Sequence, residues 1–371
     1  ASRMEELRRA LLDLYHRWGY DQVMPPTAEF LDSLLTGTGS DLALQTFKLT
    51  DQLTGRMMGV SADVTPQVAR MDAHSLKRQG PVRLCYCTNV LRATADQHQG
   101  GRSPVQVGVE LFGHAGIEAD LEILHLALAS LTAAGAGEIH LALGHIGIYR
   151  SLVEAAGLAG DAERALFEAL ELKSPGEIAE RVAESVEDPA LAEMFLALGR
   201  LHGGAEVLEE AREAFAEAPA AVGAALEQLR ALHQGVLASH PEVAPYFDLG
   251  ELRGYAYHTG MMFAAYVPGY GQALAKGGRY DDTGRAFGRA RPATGFSMDL
   301  KLLAGLSPSE PPCDGIWAPA EGEGLHETVV ALRGQGERVV QALPGQRTGP
   351  AEHRCDRELV LIDGHWQAVA L

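Results

Sequence analysis

The most chemically informative part of the chain is residues 251–282, where polar aromatic and basic side chains occur within an otherwise apolar segment. Residues 255–267 are mostly aromatic, β-branched or small, a composition that predicts a buried strand. A Pro-Gly turn at 268–271 then predicts a second strand pairing back antiparallel from 272–275. Near one end of this hairpin lie Arg253, Tyr257, His258, Arg279 and Tyr280. Such a cluster on an apolar sheet predicts a small-molecule pocket.

Asp63 and Thr65 predict a second part of this pocket at the start of a helix. Thr65 suits the N-cap and Pro66 the first helical position, so capping alone also explains the threonine. Asp63, just before the cap, is less easily explained in that way, and its carboxylate suits a ligand ammonium group. Both interpretations of Thr65 remain open.

Residues 104–112 alternate in a way that predicts a strand with two different faces. One face carries valine or leucine at every second position, and the other carries Gln106, Gly108, Glu110 and Phe112. A solvated face would explain the glutamine and the glutamate. The glycine between them weakens a strand that only faces water, and it favours a face on which another group packs closely. We therefore assign Gln106 and Glu110 to the pocket.

Composition narrows the class of protein. The 371 residues suffice for more than one domain, and the formal net charge of −18 argues against a surface that grips nucleic-acid phosphates. Four scattered cysteines do not make a disulfide framework, and Cys85-x-Cys87 alone is a weak metal motif. We find neither a membrane-spanning run nor a signal peptide. A cytoplasmic protein without a metal, a cofactor, a nucleic-acid partner or a membrane partner is expected.

The order of predicted elements indicates an α+β fold. Strands and helices over 1–306 form one discontinuous domain, which is interrupted at about 151–245 by an acidic, alanine-rich and leucine-rich helical insertion. Residues 307–371 form a small C-terminal α/β module. The serine of the Gly295-x-Ser297 segment is not expected to be a nucleophile, because no sharp strand-to-helix turn is indicated there.

Several segments together resemble histidyl-tRNA synthetase, a class II aminoacyl-tRNA synthetase, over most of residues 1–306 outside the insertion. The two histidine signatures resemble Arg253-Gly-x-x-Tyr257 and Ala275-x-Gly-Gly-Arg-Tyr-Asp281. The second class motif resembles Leu91-Arg92 followed by Gln106-x-Gly-x-Glu110. The start of the third class motif resembles Gly295-Phe-x-Met298. The resemblance implies an antiparallel sheet flanked by helices.

The same resemblance implies a histidine pocket. In this pocket the α-ammonium group of histidine would be bound by Asp63, Thr65 and Gln106, and its carboxylate by Arg92 or Arg253. The imidazole would be bound by Glu110, with Tyr257, His258 or Tyr280 nearby. These pairings are chemically consistent, because a carboxylate accepts an imidazole N–H and a guanidinium matches a carboxylate. His258 stands where the family usually has tyrosine.

Other positions depart from the synthetase pattern. The glutamate-arginine pair of the third motif is replaced by Lys301-Leu302, the adenine-facing glutamate by Thr94 and the signature aspartate by Ala256. Positioned arginines stabilise phosphate transfer, so these departures argue against activation of an amino acid by ATP. The C-terminal module is also shorter than the family's anticodon-binding domain and lacks basic patches.

Further segments resemble the regulatory subunits of ATP phosphoribosyltransferase, which are paralogues of the synthetase. They are residues 62–74, 117–122, 287–297, 316–319, 343–345 and 355–357. This resemblance implies a non-catalytic chain that self-associates, joins the short-form catalytic subunit in a hetero-octamer and binds free histidine as an allosteric effector. The loop 93–103 is a hypothetical carrier of the histidine signal. The alternatives are a synthetase-like enzyme that activates histidine with ATP, and a scaffold with a vestigial pocket.

Overall fold

A nine-stranded sheet forms the centre of the first of two compact units, Arg3–Pro308 and Ser309–Leu371. The computed structural model describes residues 2–36, 40–94, 101–255, 257–306 and 313–371. The strands of this sheet are β1 Asp21–Gln22, β5 Val82–Asn89, β6 Val105–Phe112, β7 His140–His145, β8 His202–Gly203, β9 Tyr246–Asp248, β10 Met261–Tyr266, β11 Ala275–Arg279 and β12 Ala293–Asp299. Their order is β1-β5-β6-β12-β11-β10-β7-β9-β8.

Neighbouring strands in this sheet are antiparallel except for the pairs β1–β5 and β7–β9. The sheet and its flanking helices confirm the predicted synthetase-like α+β fold. Before β5 the chain forms a separate three-stranded sheet, β2-β4-β3. Its strands are β2 Ala28–Phe30, β3 Phe47–Thr50 and β4 Met57–Val60.

Helices flank the sheet and form the insertion. Those of the synthetase-like part are α1 Ser2–Arg17, α2 Leu31–Leu35, α3 Ser40–Gln45, α4 Thr65–Arg70, α5 Ile117–Ala134, α6 Ile146–Ala156 and α12 Leu300–Leu303. A π-helical turn, Met71–Leu76, continues α4, and a 3₁₀ turn, Thr283–Phe287, follows β11. Those of the insertion are α7 Gly160–Glu171, α8 Pro175–Ser185, α9 Pro189–Leu198, α10 Glu206–Ala214 and α11 Ala220–Ser239.

One face of β6 belongs to the main core. Val107, Val109 and Leu111 are buried in the same cluster as Leu11 of α1 and Leu124 of α5. The period-2 alternation therefore works as predicted, because it directs Gln106, Gly108 and Glu110 to the opposite face of the sheet. That opposite face carries the candidate site.

The second unit is a four-stranded sheet with one helix. Its strands are β13 Gly315–Ala318, β14 Val339–Gln341, β15 Cys355–Ile362 and β16 His365–Ala370, in the order β14-β13-β15-β16, and its helix is α13 Leu325–Gly334. Strand β13 is parallel to both of its neighbours, whereas β15 and β16 form an antiparallel hairpin. Strand β16 was not predicted.

Two predictions about elements are wrong. Residues 255–260 were assigned to a buried strand, but the strand begins only at Met261, because Gly254, with φ +82°, starts a turn that returns the chain to the sheet. The second strand of the hairpin was predicted at 272–275, but β11 spans Ala275–Arg279 and so begins only at the last of those positions.

Among the residues that the structure describes, no helix has the length and apolar character needed to cross a bilayer. In the same residues, no group of three or more histidine, cysteine or acidic side chains is arranged to hold a metal ion. Most of the loop 93–103, the hypothetical signal carrier, lies outside the described residues, as does Ala256.

Candidate functional site

A cavity of about 260 Å³ lies on the polar face of the sheet, over β6, β12 and β11. The N-terminus of α4 and the turn before β10 complete its walls. Eight of the predicted site residues line it: Asp63, Thr65, Arg92, Gln106, Glu110, Tyr257, His258 and Tyr280. Fold and sequence pattern therefore bring together residues that are up to 217 positions apart along the chain (280 − 63).

Glu110 forms the most deeply buried polar part of the cavity. Its side chain is 1% exposed, and its two carboxyl oxygens are bound by different tyrosines. The Tyr86 hydroxyl donates to Oε1 at 3.1 Å, and the Tyr280 hydroxyl donates to Oε2. Register explains this arrangement, because Glu110 pairs with Gly295 on one side, while Tyr86 pairs with Gly108 on the other.

Burial changes the protonation of Glu110. Removal from water raises the pKa of its carboxyl to about 8, and the nearby Asp63 carboxylate adds to the increase. Hydrogen bonds from Tyr280, Thr65 and Tyr86 act in the opposite direction, but they do not offset the desolvation. At neutral pH Glu110 is therefore a protonated glutamic acid, which can donate a hydrogen bond as well as accept one.

Two glycines make room for this carboxyl group. A Cβ at Gly295 would overlap Glu110 Oε2 and lie 2.5 Å from the Val109 carbonyl oxygen. A Cβ at Gly108 would lie 2.7 Å from the Tyr86 hydroxyl. The close packing that the sequence predicted at Gly108 is thus confirmed, and the groups that pack there are the Phe296 carbonyl oxygen and the Tyr86 side chain.

Gly295→Ala is therefore expected to destabilise the protein by about 1–3 kcal/mol, the usual cost of overpacking a core, and to displace Glu110. Gly271→Ala is the matched control, because a Cβ there meets no atom within 4 Å. Urea unfolding of the two variants and the wild type measures the effect. Equal midpoints for Gly295→Ala and Gly271→Ala would show that the contact at Gly295 is relieved without cost.

A second polar group forms at the start of α4. Gln106 Nε2 donates to Asp63 Oδ1 at 2.8 Å, and Gln106 Oε1 accepts the Val64 backbone N–H at 3.1 Å. Asp63 Oδ1 also accepts the Thr65 backbone N–H at 3.2 Å. The N-cap position predicted for Thr65 is therefore wrong, because Val64 is the N-cap residue of α4. Thr65 is instead the first helical residue, and its hydroxyl lies 3.4 Å from the Tyr86 hydroxyl.

Tyr257 and Tyr280 stack beside Glu110, with ring centroids 4.9 Å apart and planes inclined by 25°. The Tyr257 hydroxyl is buried, and it has no hydrogen-bond partner within the described part of the chain. A buried hydroxyl without a partner costs free energy, and a polar ligand atom in the cavity would satisfy it.

His258 forms the wall at the side of β10. Its ring retains some exposed surface, but protein atoms surround it, and this desolvation lowers the pKa of its imidazole to about 4. The ring is therefore neutral at physiological pH. Its Nδ1 lies 3.3 Å from the Gly254 carbonyl oxygen, and Gly278 leaves it room, since a Cβ there would lie 2.6 Å from its Cδ2.

Two predicted members of the cluster lie elsewhere. Arg253 lines a second cavity and forms an ion pair with Glu251, because the turn after β9 folds the two side chains onto each other. Arg279 is buried and pairs with Asp120 of α5 at 3.0 Å, on the other face of the sheet. Adjacent residues of a strand point to opposite faces, so Tyr280 reaches the cavity and Arg279 does not.

The remaining wall of the cavity contains both charges and apolar groups. Arg92 and Lys276 are its basic lining residues, and Asp299 is a third acidic one. Leu302 lies in the same wall, at the position where the synthetase motif has arginine. This end of the cavity thus has an apolar side chain where a phosphate would require a donor.

Tyr86 was missed in the sequence analysis although it holds Glu110. In the sequence it is only the middle residue of Cys85-x-Cys87. The available signal was Gly108, since a glycine within a strand indicates that a bulky group packs against it. Which group this is follows only from the pairing of β5 with β6.

Two acidic groups, Asp63 and Glu110, thus line a cavity of the size of a small metabolite. Asp63, with Thr65 and Gln106, suits an ammonium group, and Glu110 suits a nitrogen heterocycle between tyrosine rings. Together with the synthetase-like sheet, this geometry defines a protein of the class II synthetase type with a polar cavity on its sheet. Comparisons with known proteins narrow that class further.

Residues 1–303 match the family of histidyl-tRNA synthetases, and residues 313–369 match the ATP phosphoribosyltransferase subunit HisZ C-terminal domain. A relative from Chromohalobacter salexigens, named ATP phosphoribosyltransferase regulatory subunit, is 71% identical and covers 100% of this chain and 95% of its own length. One of the same name from Pseudomonas aeruginosa is 52% identical, over 100% of this chain and 94% of its own. The chain belongs to the family of ATP phosphoribosyltransferase regulatory subunits, which are paralogues of histidyl-tRNA synthetase.

Solved structures agree with this assignment. A Bacillus halodurans protein described as an ATP phosphoribosyltransferase regulatory subunit/histidyl-tRNA synthetase has a TM-score of 0.82 and 28% identity, over 95% of this chain and 91% of that one. A chain from the Thermotoga maritima ATP phosphoribosyl transferase (HisG:HisZ) complex shares the fold, with a TM-score of 0.61 and 17% identity over 79% of this chain and 96% of that one.

Proposed function

We propose that this chain is the non-catalytic regulatory subunit of ATP phosphoribosyltransferase and that its cavity binds free histidine as an allosteric effector. The observation that carries the proposal is the pair of polar groups in one small cavity. Asp63 and Gln106 suit the α-ammonium group, and Glu110 between Tyr86 and Tyr280 suits the imidazole. The names of the relatives support the regulatory role.

The cavity supports binding better than it supports ATP chemistry. Activation of an amino acid by ATP requires donors that stabilise the charge on the transferred phosphate. Removing an arginine that performs this task costs about 10³-fold or more in rate, by analogy with arginine fingers. Leu302 lines the cavity at such a position. We therefore propose that the chain lost the reaction of its paralogue and kept its amino-acid site.

The proposed partner is the short-form catalytic subunit, in a hetero-octamer that includes self-association of this chain. The description of the Thermotoga complex supports a partnership of this kind. For histidine to inhibit the complex, it must bind better to the inhibited arrangement than to the active one. A coupling of about 1–3 kcal/mol would change the binding affinity of one site by roughly 5- to 150-fold when the other site is occupied. The domain limits 1–306, 307–371 and about 151–245 remain proposals within this picture.

Calorimetric titration of the isolated chain with histidine, and separately with ATP, tests this function. We expect saturable heat with histidine and none with ATP. Addition of the catalytic subunit should then yield transferase activity that histidine inhibits. Absence of histidine binding both alone and in the complex would reject the effector role.

A histidine-activating enzyme is the second candidate, because residues 1–303 match the synthetase family. It predicts binding of both ligands and exchange of pyrophosphate into ATP in the presence of histidine. An exchange rate above that of a protein-free control would favour this candidate over the regulatory subunit.

A further inference from the structure

Two residues near the cavity, Glu251 and Arg253, form a closed ion pair. Glu251 Oε1 accepts the backbone N–H and the Nε–H of Arg253, each at 2.9 Å. Glu251 Oε2 accepts Nε–H at 3.1 Å and Nη2–H at 2.5 Å. These are the two adjacent donors with which a guanidinium binds a carboxylate side-on. While the pair is closed, that edge of Arg253 cannot bind another carboxylate.

The ion pair lines a second cavity that has lining residues in common with the first. Glu251 and Arg253 line the second cavity, of about 980 Å³, which shares His258, Lys276 and Gly277 with the first. Gly254 follows Arg253 directly, and a Cβ on it would lie 2.6 Å from His258 Nδ1. The turn that carries Arg253 is therefore in contact with the ring that walls the first cavity.

We propose that Glu251 is an internal competitor that occupies Arg253 while the site is empty, and that the α-carboxylate of the bound amino acid displaces it. This inference rests on the proposed function, because it takes histidine as the ligand. One arginine–carboxylate pair breaks and another forms, so the exchange needs no proton and no change in net charge. Glu251 is thus a positioning residue that acts through Arg253.

Displacement of Glu251 from Arg253 would also affect the helical insertion, which lies outside the histidine site. Glu251 shares its cavity with two other carboxylates, Glu171 and Asp248. Asp248 forms an ion pair with Lys173, which follows α7 in the helical insertion. Once separated from its guanidinium, Glu251 would repel these carboxylates, since like charges in a partly enclosed site are weakly screened. Histidine binding would thus change the electrostatic interactions of the insertion at the ion pair between Asp248 and Lys173.

Glu251→Gln tests the proposal, because it keeps the side-chain shape and removes the competing charge. In calorimetry of the full chain we expect it to bind histidine about two- to fivefold more tightly than the wild type does, the range for loss of a partly exposed ion pair. Histamine, which lacks the carboxylate, should bind both proteins equally. Glu171→Gln is the matched control, because it removes a charge from the same cavity without touching Arg253.

A double-mutant cycle separates competition from a structural effect. Arg253→Lys removes the side-on fork, so adding Glu251→Gln to it should produce no further gain in histidine affinity. If circular dichroism shows that the glutamine variant is misfolded, Glu251→Ala takes its place. Unchanged or weaker histidine binding by the Glu251 variants, with normal binding by the wild type, would overturn this inference and leave the proposed function intact. No histidine binding by the wild type would overturn both.

Discussion

Replacement of Glu110 by glutamine is expected to weaken histidine binding by about 10- to 150-fold. A buried hydrogen bond to a charged group contributes about 1.5–3 kcal/mol, and each 1.4 kcal/mol changes the dissociation constant tenfold. Glutamine preserves the size of the side chain and can still bind Tyr86 and Tyr280. Glutamine cannot ionise to a carboxylate opposite an imidazolium, so the loss of histidine affinity measures the contribution of the negative charge at position 110. Calorimetric titration with histidine measures it.

Glu118→Gln is the matched control, because Glu118 is at an exposed position of α5, where its partner is His114. In the complex with the catalytic subunit, the Glu110 variant should still activate the transferase while losing its inhibition by histidine. Retained inhibition would show that histidine acts at another site, and that this cavity is vestigial. Loss of both activation and inhibition would indicate that the substitution damages the fold or the subunit interface.

The second large effect concerns the pH dependence of stability. Glu110 has a pKa of about 8 in the folded chain, against 4.5 as its ordinary value, so the folded state holds a proton that the unfolded state releases. Stability from this group is fully present below pH 4.5 and is lost as the pH rises towards 8. Between pH 5 and pH 8 the free energy of unfolding of Glu110→Gln should therefore rise, relative to the wild type, by about 3 kcal/mol.

Urea unfolding of both proteins at pH 5 and pH 8 gives this difference directly. Other titrating groups are common to the two proteins, so their contributions largely cancel in the comparison. The nearest groups are Asp63 and the hydroxyls of Tyr86, Tyr257 and Tyr280, and the tyrosine pKa values are all raised by burial, which keeps these phenols neutral over this range. A difference that stays constant between the two pH values would show that Glu110 is ionised in the empty protein.

The expected effects on histidine binding and on the pH dependence of stability are connected, because both depend on the proton that Glu110 carries. Free histidine near pH 7 carries a mostly neutral imidazole, whose ordinary pKa is about 6.5, and the empty site holds a protonated carboxyl. Transfer of that proton to the imidazole would create an ion pair inside the cavity without exchange with solvent. We expect histidine affinity to change little around pH 7 for this reason.

Local geometry made much of the fold and site predictable. The period-2 alternation of 104–112 placed Gln106 and Glu110 on one face, because successive side chains of any strand point in opposite directions. The Asp63-to-Pro66 segment predicted a helix start, because these residue types satisfy the free backbone donors of the first turn. The motifs around Arg92, Tyr257 and Tyr280 identified the family, and those residues do line the cavity.

Contacts between distant segments decided the rest. Tyr86 and Gly295 hold Glu110 only because β5 and β12 pair with β6 in one register, and a strand's own sequence does not specify the residue opposite each position. Arg253 lines the second cavity because it lies in a turn that brings its side chain onto Glu251. The sequence by itself determined which side chains face the same way along each element. The tertiary structure decided which of them meet, because strand register and turn geometry depend on packing between parts of the chain far apart in sequence.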